Sequence, residues 1–203
     1  MRFVEIRELA VPDSYVIDLT PHGDARGRFT EWYRADALCA AAGHPLSLAQ
    51  ANHSVSARGV LRGVHFALVP PGQAKYVYCP AGRVLDVVVD LRVGSPTFGV
   101  HDSVVLDSEH PRAVYLAEGL GHAFLSLADG TSVTYLVSSH YDPEREFGVS
   151  PTDPELDLPW PADVDIELSA KDRTAPSLAE AREQGLLPSM ERCAARYAVL
   201  RGD

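Results

Sequence analysis

From residue 75 to residue 138, apolar and polar side chains alternate in runs too short for helices, and turn residues break each run. The longest run is 84–93. Read as a strand, it places Leu85, Val87, Val89 and Leu91 on one face and Asp86, Val88, Asp90 and Arg92 on the other. Gly94-Ser95-Pro96-Thr97 ends it, as Pro80-Ala81-Gly82 ends the shorter run 75–79. Further strands are expected at 100–106, 113–116, 123–127 and 132–138, with Asp129-Gly130 as a tight hairpin turn. Many short strands with almost no helix between them predict an all-β antiparallel barrel or sandwich, such as a jelly roll.

Helical signals stay at the flanks. Asp36 is placed to cap a short helix through Ala42 that Gly43 stops. Ser177-Leu178-Ala179-Glu180 has capping-box spacing and opens a helical extension from about residue 177, its first helix ending near Gly185. Between the strands and that extension, 151–161 holds four prolines and reads as an irregular wrap. No repeat or linker divides residues 1–203, so a single domain is expected.

Composition narrows the function. A chain of 203 residues with 46% hydrophobic content can bury a sizeable core. A net charge of −10 argues against a nucleic-acid partner, which needs a basic face. Cys39, Cys79 and Cys193 are odd in number and lack metal spacing, as expected of reduced thiols in a cytoplasmic protein. No run has the length of a membrane helix, and the start Met1-Arg2-Phe3-Val4-Glu5 has no secretory apolar core.

One strand breaks the usual alternation. Gln50, Asn52, Ser54 and Ser56 recur at every second residue, with Ala51, His53 and Val55 on the other face. The run leads to Arg62, His65 and Lys75, a cationic pair beside a histidine that suits an anionic, hydroxyl-rich ligand. His65 can be a packed histidine or a general base whose tautomer a carboxylate such as Asp172 fixes. Gly63 leaves room there for a ligand or another chain. Tyr135 can pack in a core or, with an ordinary pKa near about 10, donate a proton at neutral pH. Tyr141 and Glu146 lie in a loop that is either solvated or stacked on a flat polar ring. Arg26 and Glu31 read as solvated charges in an exposed turn and strand, unless the arginine binds a phosphate bidentately. A metal site of the jelly-roll type opens at Gly59 and His65 but fails at Ala67, and Pro70-Pro71-Gly72-Gln73 supplies no carboxylate. The barrel is read as metal-free.

Asp24-Ala25-Arg26-Gly27, Gln50-Ala51-Asn52, Gly59-Val60-Leu61-Arg62-Gly63-Val64-His65, Gln73-Ala74-Lys75, Asp86-Val87-Val88-Val89-Asp90-Leu91-Arg92, Gly94-Ser95-Pro96-Thr97-Phe98-Gly99 and Ser169-Ala170-Lys171-Asp172 follow in order over about residues 20–185. Together they resemble the dTDP-4-dehydrorhamnose 3,5-epimerase family. The resemblance implies a cupin-type jelly roll (a double-stranded β-helix), a homodimer, and epimerisation of a dTDP-4-keto-6-deoxyhexose without cofactor or metal. It implies His65 as base with Asp172 as its partner, Tyr135 as acid, and Lys75 facing the enolate oxygen. It further assigns Arg62, Gln50, Asn52 and His122 to the sugar and diphosphate. Arg26 and Glu31 would reach the nucleotide across a dimer interface, Tyr141 would stack on thymine, and Glu146 and Lys171 would complete the contacts. Phe66-Ala67, Tyr76-Val77-Tyr78-Cys79 and Gly121-His122-Ala123-Phe124 depart from the common pattern. They resemble the antibiotic-sugar branch, where some enzymes epimerise only C3 or only C5. A non-catalytic sugar-nucleotide binder and a metal-dependent cupin are the other readings.

Overall fold

The computed structural model describes residues 4–202, so Met1, Arg2 and Phe3 of the charged start and Asp203 lie outside the described residues. The chain runs β1 (Val4–Glu8), β2 (Ser14–Leu19), β3 (Pro21–Asp24), β4 (Gly27–Thr30), α1 (Ala35–Ala42), β5 (Gln50–Ser56), β6 (Val60–Ala67), β7 (Lys75–Ala81) and β8 (Arg83–Asp90). It continues through β9 (His101–Asp107), β10 (Arg112–Leu116), β11 (Leu120–Ser126), β12 (Thr131–Val137), β13 (Glu146–Gly148) and β14 (Glu167–Leu168), then α2 (Ala170–Arg173), α3 (Leu178–Glu183) and α4 (Met190–Arg201). One sheet has the order β1-β2-β10-β7-β12-β5 and the other β13-β6-β11-β8-β9, with β14 parallel to β6. β3 and β4 form a separate hairpin. Among the described residues, no helix is long and apolar enough to cross a membrane.

Side-chain alternation explains the layering. Val16, Val77, Val114 and Val133 of the first sheet meet Val84, Val88, Leu106 and Phe124 of the second in the interior. Sheets normally leave one face to water, but β8 buries both. Its Val87 and Val89 pack outward against Leu156, Leu158, Leu178 and Ala181. The proline-rich 151–161 is therefore a wrap that covers the second sheet. The outer face of the first sheet is covered by Leu38 and Ala42 of α1 and by Cys193 and Tyr197 of α4.

Three sequence expectations need correction. Asp36 is not the cap of α1: the helix begins at Ala35, its N-cap is Arg34, and Asp36 pairs with that arginine at 2.6 Å. Asp129-Gly130 does not close a hairpin, because β11 and β12 belong to different sheets. The segment crosses the sandwich, and the Asp129 carboxylate accepts the Arg58 N–H instead of turning back on itself. The strand expected at 84–93 ends at Asp90. Ser95 and Thr97 hydroxyls donate to the Asp90 carboxylate, which tightens the turn. The Ser177–Glu180 capping box is present as read.

Arg92 shows why the strand stops there. Its guanidinium is fully buried and bonds Asp90 at 2.9 Å, Asp13 at 2.6 Å, the Pro12 carbonyl and the Tyr197 hydroxyl. One side chain thus ties β8 to the β1–β2 turn and to α4. Removing one partner of a buried ion pair strands the other charge, at a typical cost of about 3–5 kcal/mol. Arg92→Met is accordingly expected to lower unfolding stability by that amount in urea titrations at neutral pH. A loss below about 1 kcal/mol would show that the network does not hold these elements together.

Candidate active site

Where the interior of the sandwich opens, its apolar lining gives way to polar groups. β5 is inverted there. Gln50, Asn52 and Ser54 turn inward, while Ala51 and Val55 face out, Val55 with 61% exposure. The register carries this face across to β12, with Gln50 opposite Val137 and Asn52 opposite Tyr135, so Tyr135 also points inward. Lys75 opens β7 on the same side.

The opposite wall depends on an irregularity. Residues three apart on a regular strand point to opposite faces, yet Arg62 and His65 both pair with inward-facing residues of β11, Phe124 and His122. Only Ala123 separates that pair on β11, whereas Gly63 and Val64 separate Arg62 from His65 on β6. The extra residue is a β-bulge that returns His65 to the interior. Gly63 is required by its φ of 122° and because a Cβ would lie 2.5 Å from the His122 carbonyl oxygen. The close approach is made by β11 of the same chain, not by a ligand or a second chain.

A cavity of about 380 Å³ results, lined by Gln50, Asn52, His65, Lys75, Tyr135, Tyr141, Glu146 and Lys171, with His53, Gln73 and Phe147 completing it. The only two lysines in the sequence, Lys75 and Lys171, both line it. His65 Nε2 lies 2.6 Å from Asp172 Oδ1. If that nitrogen carries the proton donated to the carboxylate, Nδ1 keeps a lone pair and can act as a base. Burial alone would raise the Asp172 pKa. Hydrogen bonds from His65 and Ser169, with the charges of His65 and Lys171, outweigh burial and hold the carboxyl below its ordinary range. Desolvation raises the Tyr135 phenol, opposed by Arg62 and aided by Glu146, so the group stays protonated at neutral pH.

Lys75 is almost wholly buried, and desolvation pulls its pKa down to about 8 against the attraction of Glu146 and Asp86. Tyr141 is exposed, its backbone N–H donating to Gln50 Oε1 at 3.2 Å. Gln73 Nε2 donates to Glu146 Oε1 at 3.2 Å.

Not every expected residue reaches the cavity. His122 is buried behind it, 2.8 Å from Asp86. Arg62 bonds the Ser56 hydroxyl at 3.3 Å and does not line the cavity. Arg26 lies on the exposed β3–β4 hairpin, paired with Asp24, and Glu31 is exposed just beyond it. Asp86, Gln73 and Ser169 were not singled out from sequence. For Asp86 the signal existed: a carboxylate on the inward face between Val84 and Val88 has to be paired.

Among the described residues, no group of three or more His, Cys, Asp or Glu side chains is arranged to hold a metal ion. An oriented imidazole and a phenol on opposite walls, with a buried ammonium between sheet and solvent, can take a proton from carbon beside a carbonyl and return one to the other side. That capacity places the chain among the cupin-type jelly-roll isomerases. The family profile described as dTDP-4-dehydrorhamnose 3,5-epimerase matches residues 8–180, and the chain belongs to that family. It is 52% identical over 195 residues to the dTDP-4-dehydrorhamnose 3,5-epimerase of Mycolicibacterium smegmatis, covering 96% of each chain. It is 51% identical to the dTDP-4-dehydrorhamnose 3-epimerase of Streptomyces niveus, over 95% of this chain and 92% of that one. The structure of ChmJ, a 3'-monoepimerase from Streptomyces bikiniensis in complex with dTDP-quinovose, superposes with a TM-score of 0.93 at 46% identity, over 96% of this chain and 98% of that one.

The depressed Lys75 pKa has a thermodynamic consequence. Unfolded, the amine titrates near about 10.4, so between pH 8 and that value the unfolded chain binds more protons and stability rises with pH. Below pH 8 the whole penalty, on the order of 3 kcal/mol, is present. Lys75→Met is therefore expected to be more stable than the wild type at pH 7 and to lack the alkaline rise. Urea unfolding across pH checks this, and lysine-selective NMR reads the amine directly from two signals.

Proposed function

We propose that this protein epimerises dTDP-4-keto-6-deoxy-D-glucose at C3 and C5 to dTDP-4-keto-L-rhamnose, using its own side chains and no cofactor. The observation that carries this reading is the placement of His65 and Tyr135 on opposite walls of one cavity that Lys75 also lines. His65 removes the proton beside the C4 ketone, and Asp172 stabilises the imidazolium that forms. Negative charge grows on the C4 oxygen only as the proton leaves, so the Lys75 ammonium stabilises the transition state more than the ground state. Tyr135 returns a proton from the other wall, inverting the carbon. Gln50, Asn52 and Arg62 serve the sugar and diphosphate, with His122 and its Asp86 partner behind them. Tyr141 stacks on the base, and Glu146 and Lys171 complete the nucleotide contacts. Epimerisation at C3 alone is the second reading, favoured by relatives named 3-epimerase at nearly the same identity.

We further infer a homodimer and a cytoplasmic setting. Arg26 and Glu31 sit away from the cavity of their own chain, so any nucleotide contact they make comes from a second copy. Phe29 beside them and Leu48 and Val55 near β5 are exposed apolar side chains that such a copy would cover. The three cysteines are unpaired.

Incubation with dTDP-4-keto-6-deoxyglucose in D₂O should place deuterium at C3 and C5. Label at C3 alone establishes the second reading, and folded protein that incorporates none overturns both. His65→Ala should lose exchange yet keep its affinity for dTDP within several-fold. Lys75→Met should lower kcat by about 10²–10³. In the free enzyme Lys75 is charged below pH 8 and loses its proton above it, so kcat/KM should fall on the alkaline side near pH 8. Phe29→Asp should give a monomer by sedimentation, with weakened substrate binding.

A further inference from the structure

We propose that Ser169 is a positioning residue for the base, a third member behind His65 and Asp172 that fixes the carboxylate through its hydroxyl. The inference rests on the reading of His65 as base and goes beyond it by asking what holds Asp172 in place. Asp172 uses one oxygen, Oδ1, for His65 at 2.6 Å. Its other oxygen, Oδ2, accepts from the Ser169 hydroxyl at 2.9 Å. The same hydroxyl accepts the Asp172 backbone N–H at 3.1 Å, so one side chain grips both ends of the residue. A carboxylate held at its backbone and its outer oxygen cannot swing away from the imidazole without breaking both bonds.

The location makes such a grip necessary. α2 has only four residues, Ala170–Arg173, with Ser169 as its N-cap, too short a helix to be rigid by itself. Asp172 is buried with 5% exposure, whereas Ser169 is exposed, so the hydroxyl meets the carboxylate from the solvent side. β14 immediately precedes it and is tied to β6, the strand of His65, through Glu167 and Leu168. The base and the residue that positions its partner are therefore fastened to the same strand. Lys171, which lines the cavity, is the other charged group acting on Asp172.

The proposal separates cleanly from simple helix capping. Glycine at an N-cap costs only a few tenths of a kcal/mol relative to serine, but it cannot donate to Oδ2. Threonine can do both. In Ser169→Gly, Oδ2 loses a donor, the carboxylate becomes more basic and the imidazolium is held more tightly. The midpoint of His65 protonation, followed by imidazole NMR in the ligand-free protein, should move up by roughly half a pH unit to one unit. The acid limb of kcat/KM should move with it, and kcat should fall about threefold to tenfold with KM unchanged. Ser169→Thr should restore the wild-type midpoint and kcat. Should the glycine variant fail to fold, Ser169→Ala, which also lacks a donor and adds no charge, is expected to shift the midpoint in the same direction. A wild-type His65 midpoint in the glycine or alanine variant, or no restoration by threonine, overturns the proposal. The NMR titration does not require turnover. A shifted midpoint in a protein whose wild type is inactive on the dTDP-keto sugar would therefore reject the epimerase reading while leaving the role of Ser169 intact.

Discussion

The side chain proposed to begin the chemistry faces the cavity because β6 contains one residue more than the strand beside it. Regular pairing from Arg62 would have pointed residue 65 into the outer layer, among Val64, Phe66 and Leu156, where a titrating imidazole has no use and no water. The bulge at Gly63 resets the alternation, and the tight approach of the His122 carbonyl leaves no room for a Cβ. The paired histidines of β6 and β11 then look inward together. Each is held by its own carboxylate, one at the cavity and one behind it.

The opposite wall departs from stability rules in a related way. An edge strand ordinarily buries its apolar face and wets its polar one. β5 does the reverse, giving the cavity Gln50, Asn52 and Ser54 and leaving Val55 and Ala51 outside. Beside it, Lys75 is buried where its charge is disfavoured. Both features weaken an isolated chain, and both become intelligible if the cavity is filled by an anionic sugar nucleotide and the outer face of β5 by another copy. The structure elsewhere offsets the cost through the three apolar layers and the Arg92 network.

The β periodicity, the wrap and the capping box could be read directly, because each depends on neighbours a few residues apart. The polar stripe of β5 was visible for the same reason. What could not be read depends on pairing at long range. Asp129-Gly130 has the composition of a hairpin turn, yet which sheet receives the next strand is decided by β5 and β7. Asp36 has a capping residue's chemistry, but the helix starts at Ala35 and its cap position falls to Arg34. The match of Asp172 to His65 spans 107 residues and came from family resemblance, not spacing. Resemblance also grouped Arg26 and Glu31 with the site, and a single chain does not bring them there.

The same geometry explains why the number of inverted centres is not written in the inventory of side chains. C3 and C5 of the proposed substrate both adjoin the C4 ketone, so either proton, once removed, sends its charge to the same oxygen and the same ammonium. One base and one acid can therefore serve both carbons, provided the ring presents each hydrogen to His65 in turn. Discrimination in that proposal lies in the pose, set by the contacts assigned to the nucleotide and sugar, which include Tyr141, Glu146 at the start of β13 and the Gln50–Asn52 pair at 2.7 Å. Small changes in that frame can change which carbon meets the base without altering the base, the acid or the cation. Relatives named for one centre and for two can thus share about half their residues with this chain and differ in outcome.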